Sequence, residues 1–130
     1  MTAEELAARA AVVNESADLR ALLEHLRVRA QPLIERLPPF PDHKALLSMD
    51  GGACPDDQSL LVFDPWKPTE HRCPRCGKVW RGDRHDRNWA RFQHLWLAER
   101  AAHLAAVAAL GGKEDRACAQ RAREILTTHA

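Results

Sequence analysis

A chain of 130 residues, 45% of them apolar, has the size and composition of a globular domain and is not a disordered polymer. Its formal net charge of +1 provides no whole-chain attraction to nucleic acid or to an acidic membrane, so polyanion binding would need a local patch. The longest apolar stretch, Leu104 to Leu110, is far short of the about 20 residues a membrane span needs, and the acidic start Met1-Thr2-Ala3-Glu4-Glu5 is unlike a secretory signal, so a cytoplasmic chain with no membrane partner is expected.

The first element expected is a helix opened by Thr2-Ala3-Glu4-Glu5, a capping box in which Thr2 caps and Glu5 reaches back, followed by Leu6, Ala10 and Val13 at helical spacing. A second start falls at Ser16, with Leu19, Leu22, Leu23 and Leu26 forming a stripe; Pro32 is expected to break or restart this helix. All eight prolines lie between Pro32 and Pro74, and Pro38-Pro39-Phe40-Pro41 reads as a stiff connector. Beyond it, Leu60-Leu61-Val62-Phe63 and Val79-Trp80 are short strand candidates. From about Asp86 to Leu110 the spacing of Trp89, Phe92, Trp96, His103 and Val107 predicts a long helix, stopped by Gly111-Gly112 and followed by a second over Lys113 to Thr128. The two are expected to pair as an antiparallel hairpin that needs further helices to cover it. Trp89, Trp96 and Cys118 read as core, Trp66 and Trp80 as flanking the middle module, and His94 as a buried, hydrogen-bonded ring.

The chemistry lies between Cys54 and Gly77. Cys54-x2-Asp57-x15-Cys73-x2-Cys76 follows the four-ligand spacing of zinc sites, with Asp57 where a cysteine would stand. In Cys73-Pro74-Arg75-Cys76-Gly77 the proline shapes the turn, the glycine permits a sharp reversal and the intervening amides can donate to thiolates, which points to a structural zinc ion. Cys54, Cys73 and Cys76 are the thiol ligands; the fourth is open among Asp57, His71 and His43. Thiols in this pattern read as reduced metal ligands and not as a disulfide framework. Around them, from His71 to Arg91, seven lysines and arginines face only Asp83 and Asp86, a local positive excess.

The order Cys54-Pro55, Leu61 to Pro65, His71 to Gly77, Trp89 and His94, then Ala119 to Leu126 in an alanine-rich hairpin, resembles the amino-terminal region of heparinase II/III-like polysaccharide lyases. The resemblance covers Gly51 to Ala130 and implies that the hairpin opens an α/α toroid that binds an acidic polysaccharide, with β-elimination of a uronate-containing chain as the activity of the whole family member. Two departures stand out: Asp57 replaces the histidine of the family's Cys-Pro-x-His, and Cys118 replaces a tyrosine. The family's tyrosine and histidine serve as base and acid; this chain has no tyrosine and stops before the later hairpins, so no catalytic residue is assigned. The expected fold class is mainly α, with helical segments flanking a small zinc-ribbon-like β module and the start of an α/α toroid. Residues 1–41 form the helical segment and connector, 42–84 the zinc module and 85–130 the hairpin. Nucleic acid is the alternative polyanion, and self-association through the 86–129 hairpin the third reading.

Overall fold

The computed structural model describes residues 1–45, 48–112 and 115–129. In chain order the described residues form α1 (Ala3–Glu15), α2 (Ala17–Glu35), β1 (His71–Arg72), β2 (Val79–Trp80), α3 (Asp83–Leu110) and α4 (Arg116–His129). Among these residues no helix is long and apolar enough to cross a membrane. The chain is mainly helical with a small two-stranded sheet, and it divides into two compact units. One comprises Met1–Leu37 and Ala98–Ala130, the other Pro38–Leu97. The proline pattern placed divisions at 41/42 and 84/85 instead; the units divide within α3 because that helix runs without interruption from Asp83 to Leu110.

In the first unit the capping box forms as read: Thr2 Oγ1 accepts from the Glu5 N–H at 3.2 Å, and Glu5 Oε2 accepts from the Thr2 N–H at 2.7 Å. Ser16 ends α1 through its backbone and caps α2 through its side chain. Pro32 does not break α2, which continues to Glu35. Its ring removes one backbone donor, yet the Arg36 N–H still bonds to the Pro32 carbonyl at 3.2 Å and closes the last turn. Leu23, Ala30 and Leu33 of α2 are buried, as are Val13 of α1, Ala101, Leu104 and Val107 of α3, and Cys118, Ala122 and Ile125 of α4. Arg27 reaches the buried Asp115 with both Nε (3.3 Å) and Nη2 (2.8 Å), a forked pair that ties α2 to the start of α4. The expected helix over Lys113 to Thr128 is α4; residues 113 and 114 lie outside the described residues.

The second unit is built on the amino-terminal part of α3. Little apolar surface is enclosed: its buried apolar residues, among those described, are Cys54, Cys73, Trp89, Ala90 and Leu97. Polar ties from α3 do much of the holding. Trp89 Nε1 donates to the Asp64 carbonyl at 2.8 Å, and the fully buried Gln93 donates through Nε2 to the carbonyls of Pro39 (2.8 Å) and Pro65 (3.1 Å). Prolines leave neighbouring carbonyls without a ladder partner, and Gln93 supplies donors for two of them. Trp66 and Trp96 meet edge to face with ring centroids 6.0 Å apart. β1 and β2 pair antiparallel, His71 with Trp80 and Arg72 with Val79. Leu60 to Phe63, expected as a strand, makes a single bridge, Ala53 with Leu60, plus bonds from the Leu61 and Val62 N–H groups to the carbonyls of Gly52 and Arg72. Pairing cannot extend because the backbone turns away at Gly51, whose φ of 81° lies in the left-handed region, and Pro65 lacks a donor.

Candidate metal centre

Two six-residue turns carry the cysteines, and they are built alike. In the first, the Cys54 N–H bonds to the Ser59 carbonyl (2.8 Å) and the Gln58 N–H to the Cys54 carbonyl (2.9 Å). In the second, the Cys73 N–H bonds to the Lys78 carbonyl (2.9 Å) and the Gly77 N–H to the Cys73 carbonyl (3.1 Å). The flanking residues pair at the same offset, Ala53 with Leu60 and Arg72 with Val79. The fifth residue of each turn is left-handed: Gln58 at φ 60° and Gly77 at φ 75°. Glycine takes that conformation without cost, whereas glutamine does so only because the turn around it fixes the backbone. This equivalence puts Asp57 in the first turn where Cys76 stands in the second.

One ligand atom from each of Cys54, Asp57, Cys73 and Cys76 lies within 4.8 Å of the others, so this Cys3Asp group could hold a metal ion. The Cys54 and Cys76 Sγ atoms are 3.8 Å apart, and Cys73 Sγ lies 3.5 and 3.4 Å from the two Asp57 oxygens. Cys54 and Cys73 are fully buried, Asp57 is half-buried and Cys76 is exposed, so the group lies at the surface of its unit.

The electrostatics of the group are those of anions crowded together. The Ser59 backbone N–H, 2.9 Å from Oδ1, holds the Asp57 carboxyl down to about 2. Burial pushes the Cys73 thiol up, but donation from the Cys76 and Arg75 backbone N–H groups outweighs it and lowers Cys73 below the ordinary thiol range. At Cys76 the Lys78 N–H favours the thiolate, yet desolvation and the neighbouring Cys73 and Cys54 sulfurs lift the thiol to about 11. Adjacent groups cannot all be anionic unaided, so one keeps its proton. A divalent cation removes that conflict, and three thiolates with one carboxylate match the tetrahedral donor set of zinc-type sites.

The other two candidates for the fourth ligand are placed elsewhere. His71 is buried, and its Nε2 lies 2.7 Å from Asp86 Oδ1 at the start of α3. That contact fastens the hairpin to the helix. His43 is exposed and its Nδ1 pairs with Asp42 at 2.8 Å. Neither belongs to the Cys3Asp group. Cys118 is buried in the other unit, as its place in the apolar stripe implies.

The residues that sequence reading passed over lie on α3. His85 is buried and its Nδ1 lies 2.6 Å from the Gly51 carbonyl; Asn88 lies against Gly52, where an added Cβ would fall 2.9 Å from Oδ1; Gln93 gathers two proline-flanking carbonyls. His85, Asn88, Trp89 and Gln93 recur at helical spacing, and a stripe of polar and aromatic residues on one face was the available signal. The positive excess of the 71–91 segment is also reduced in the fold. Lys78 pairs with Asp56, Arg81 with Glu70 (2.6 Å), Arg84 with Asp50 (2.6 Å) and Arg87 with Asp83 (2.7 Å). Compared with family models, curated proteins and solved structures, the chain matches none.

Proposed function

We propose that Cys54, Asp57, Cys73 and Cys76 bind one structural Zn2+ that holds the 50–82 segment together. The observation that carries this reading is the pair of equivalent turns that bring four donor atoms within 4.8 Å. Zinc suits the set because it accepts thiolate and carboxylate in one tetrahedron, and four protein ligands leave no open position for a reacting water, which is the mark of a structural site. The energetic need is plain. The unit encloses few apolar side chains, two of which are the ligands Cys54 and Cys73. Zinc binding of about 10–16 kcal/mol in small modules is comparable with the ~5–15 kcal/mol stability of a whole domain. Full-length protein purified without chelator should contain one zinc per chain. Stripping the metal should collapse the near-UV signal of Trp66, Trp80 and Trp89, and restoring zinc should recover it. An unchanged spectrum would contradict the reading.

The wider proposal is that this module stands in front of the helical scaffold of a heparinase II/III-like polysaccharide lyase and supports it without catalysing. It is supported by the sequence resemblance and by the exposed Arg72 and Arg75 on the hairpin, which suit an acidic sugar chain. Salt-dependent retention on heparin or alginate, lost in an Arg72→Glu/Arg75→Glu variant, is expected. Stronger retention on duplex DNA would favour the nucleic-acid reading instead.

A further inference from the structure

We infer that the face of the Pro38–Leu97 unit bounded by residues 60–63 and α3 is a binding site for a small, one- or two-ring aromatic molecule carrying a single N–H donor. A recess of about 190 Å3 lies there, walled by Leu61, Phe63, Trp89 and Phe92, with Asn88 among its lining residues. The site stands apart from the proposed zinc ligands, none of which lines it.

Two independent observations point to a ligand. The first is Asn88. Its side chain is 8% exposed and its Oδ1 has no hydrogen-bond partner. A buried amide oxygen left unpaired is unfavourable, and such atoms are rare in folded proteins unless something outside the chain satisfies them. The second is the lip of the recess: Leu60, Val62 and Met49 are 66%, 47% and 46% exposed, a cluster of large apolar side chains held in water next to that acceptor. Scattered exposed apolar residues carry no meaning, but a group of them around a concavity with a polar floor marks a binding surface.

The chemistry of the occupant follows from the lining. Aromatic and aliphatic walls select an apolar body, and a cavity of about 150 Å3 already holds benzene. No cationic side chain lines the recess, so an anionic head is not provided for. The one unmet need is that of an acceptor, which calls for a donor on the ligand. Indole, with a flat apolar body and one N–H, has these properties; 1-methylindole has the same body and no donor.

The test titrates the full chain with indole and with 1-methylindole, following methyl and side-chain amide resonances by NMR. Indole should shift the methyls of Leu60, Leu61 and Val62 together with the Asn88 amide. 1-Methylindole should bind at least tenfold more weakly, equivalent to about 1.4 kcal/mol. In Asn88→Leu, which removes the unpaired oxygen, the difference between the two probes should vanish. The inference is overturned if indole leaves these resonances unmoved up to its solubility limit, shifts a different set, or binds the wild-type chain no better than 1-methylindole. The wild-type comparison decides the matter even if the variant fails to fold.

Discussion

Asp57 and Cys76 occupy equivalent positions in two turns of one design, and the predictions at the residue scale follow from that pairing. Asp57→Ala should weaken zinc binding by more than the roughly 10–100-fold typical of an outer-shell change, whereas Asp57→Cys should keep or strengthen it. Co2+-loaded protein distinguishes these outcomes, because its sulfur-to-metal charge-transfer absorption should grow when a fourth thiolate is added. Proton release gives a second check. Asp57, held down to about 2, is already ionised at neutral pH and releases nothing, while Cys76, lifted to about 11, must give up its proton to the metal. Calorimetry at pH 7 in buffers of different ionisation enthalpy should therefore report at least one proton released per zinc. In the metal-free chain the signs are opposite for the two groups. A carboxyl with a lowered folded value contributes stability that is present above about 4 and lost as pH falls toward about 2. A thiol with a raised folded value contributes stability present below about 8.5 and lost as pH rises toward about 11.

At the scale of elements, α3 organises its unit through side chains of opposite character, Asp86 toward the β1–β2 hairpin and Gln93 toward the proline segments. His71→Ala leaves the Asp86 carboxylate without its partner in a site where both side chains are largely buried. It should cost about 1–3 kcal/mol in urea unfolding of the zinc-loaded protein. An undiminished midpoint would show that the hairpin is not held by this contact. The helices themselves were readable in the sequence, because Thr2-x2-Glu5 and Ser16 are local capping signals that need no tertiary context. Pro32 was not, since whether a helix survives a proline depends on what packs around it. Leu60 to Phe63 misled for a similar reason: β propensity was present, but the partner backbone turned away at Gly51.

On the scale of the whole molecule, the two units differ in what holds them. Met1–Leu37 with Ala98–Ala130 has an ordinary helical core of Leu23, Leu33, Leu104, Val107 and Ile125, whereas Pro38–Leu97 relies on polar ties and on the Cys3Asp group. Chelation should therefore act unevenly: hydrogen exchange should rise across 50–82 while α1, α2 and α4 keep their protection. The three cysteines were legible because ligand spacing is a local property. The choice of Asp57 over His71 and His43 was not, because it depends on where Asp86 and Asp42 lie in space. Likewise, a count of charges between His71 and Arg91 could not reveal their acidic partners from outside that segment, Asp50, Asp56 and Glu70. The central claim is that four named side chains bind one ion, and native mass spectrometry of the full chain tests it most directly. The account predicts a single zinc on the wild-type protein, lost in Cys73→Ser and in Asp57→Ala but retained in His71→Ala and His43→Ala. A wild-type chain that is folded and free of metal, or one whose zinc survives removal of Cys73 and Asp57, would contradict it.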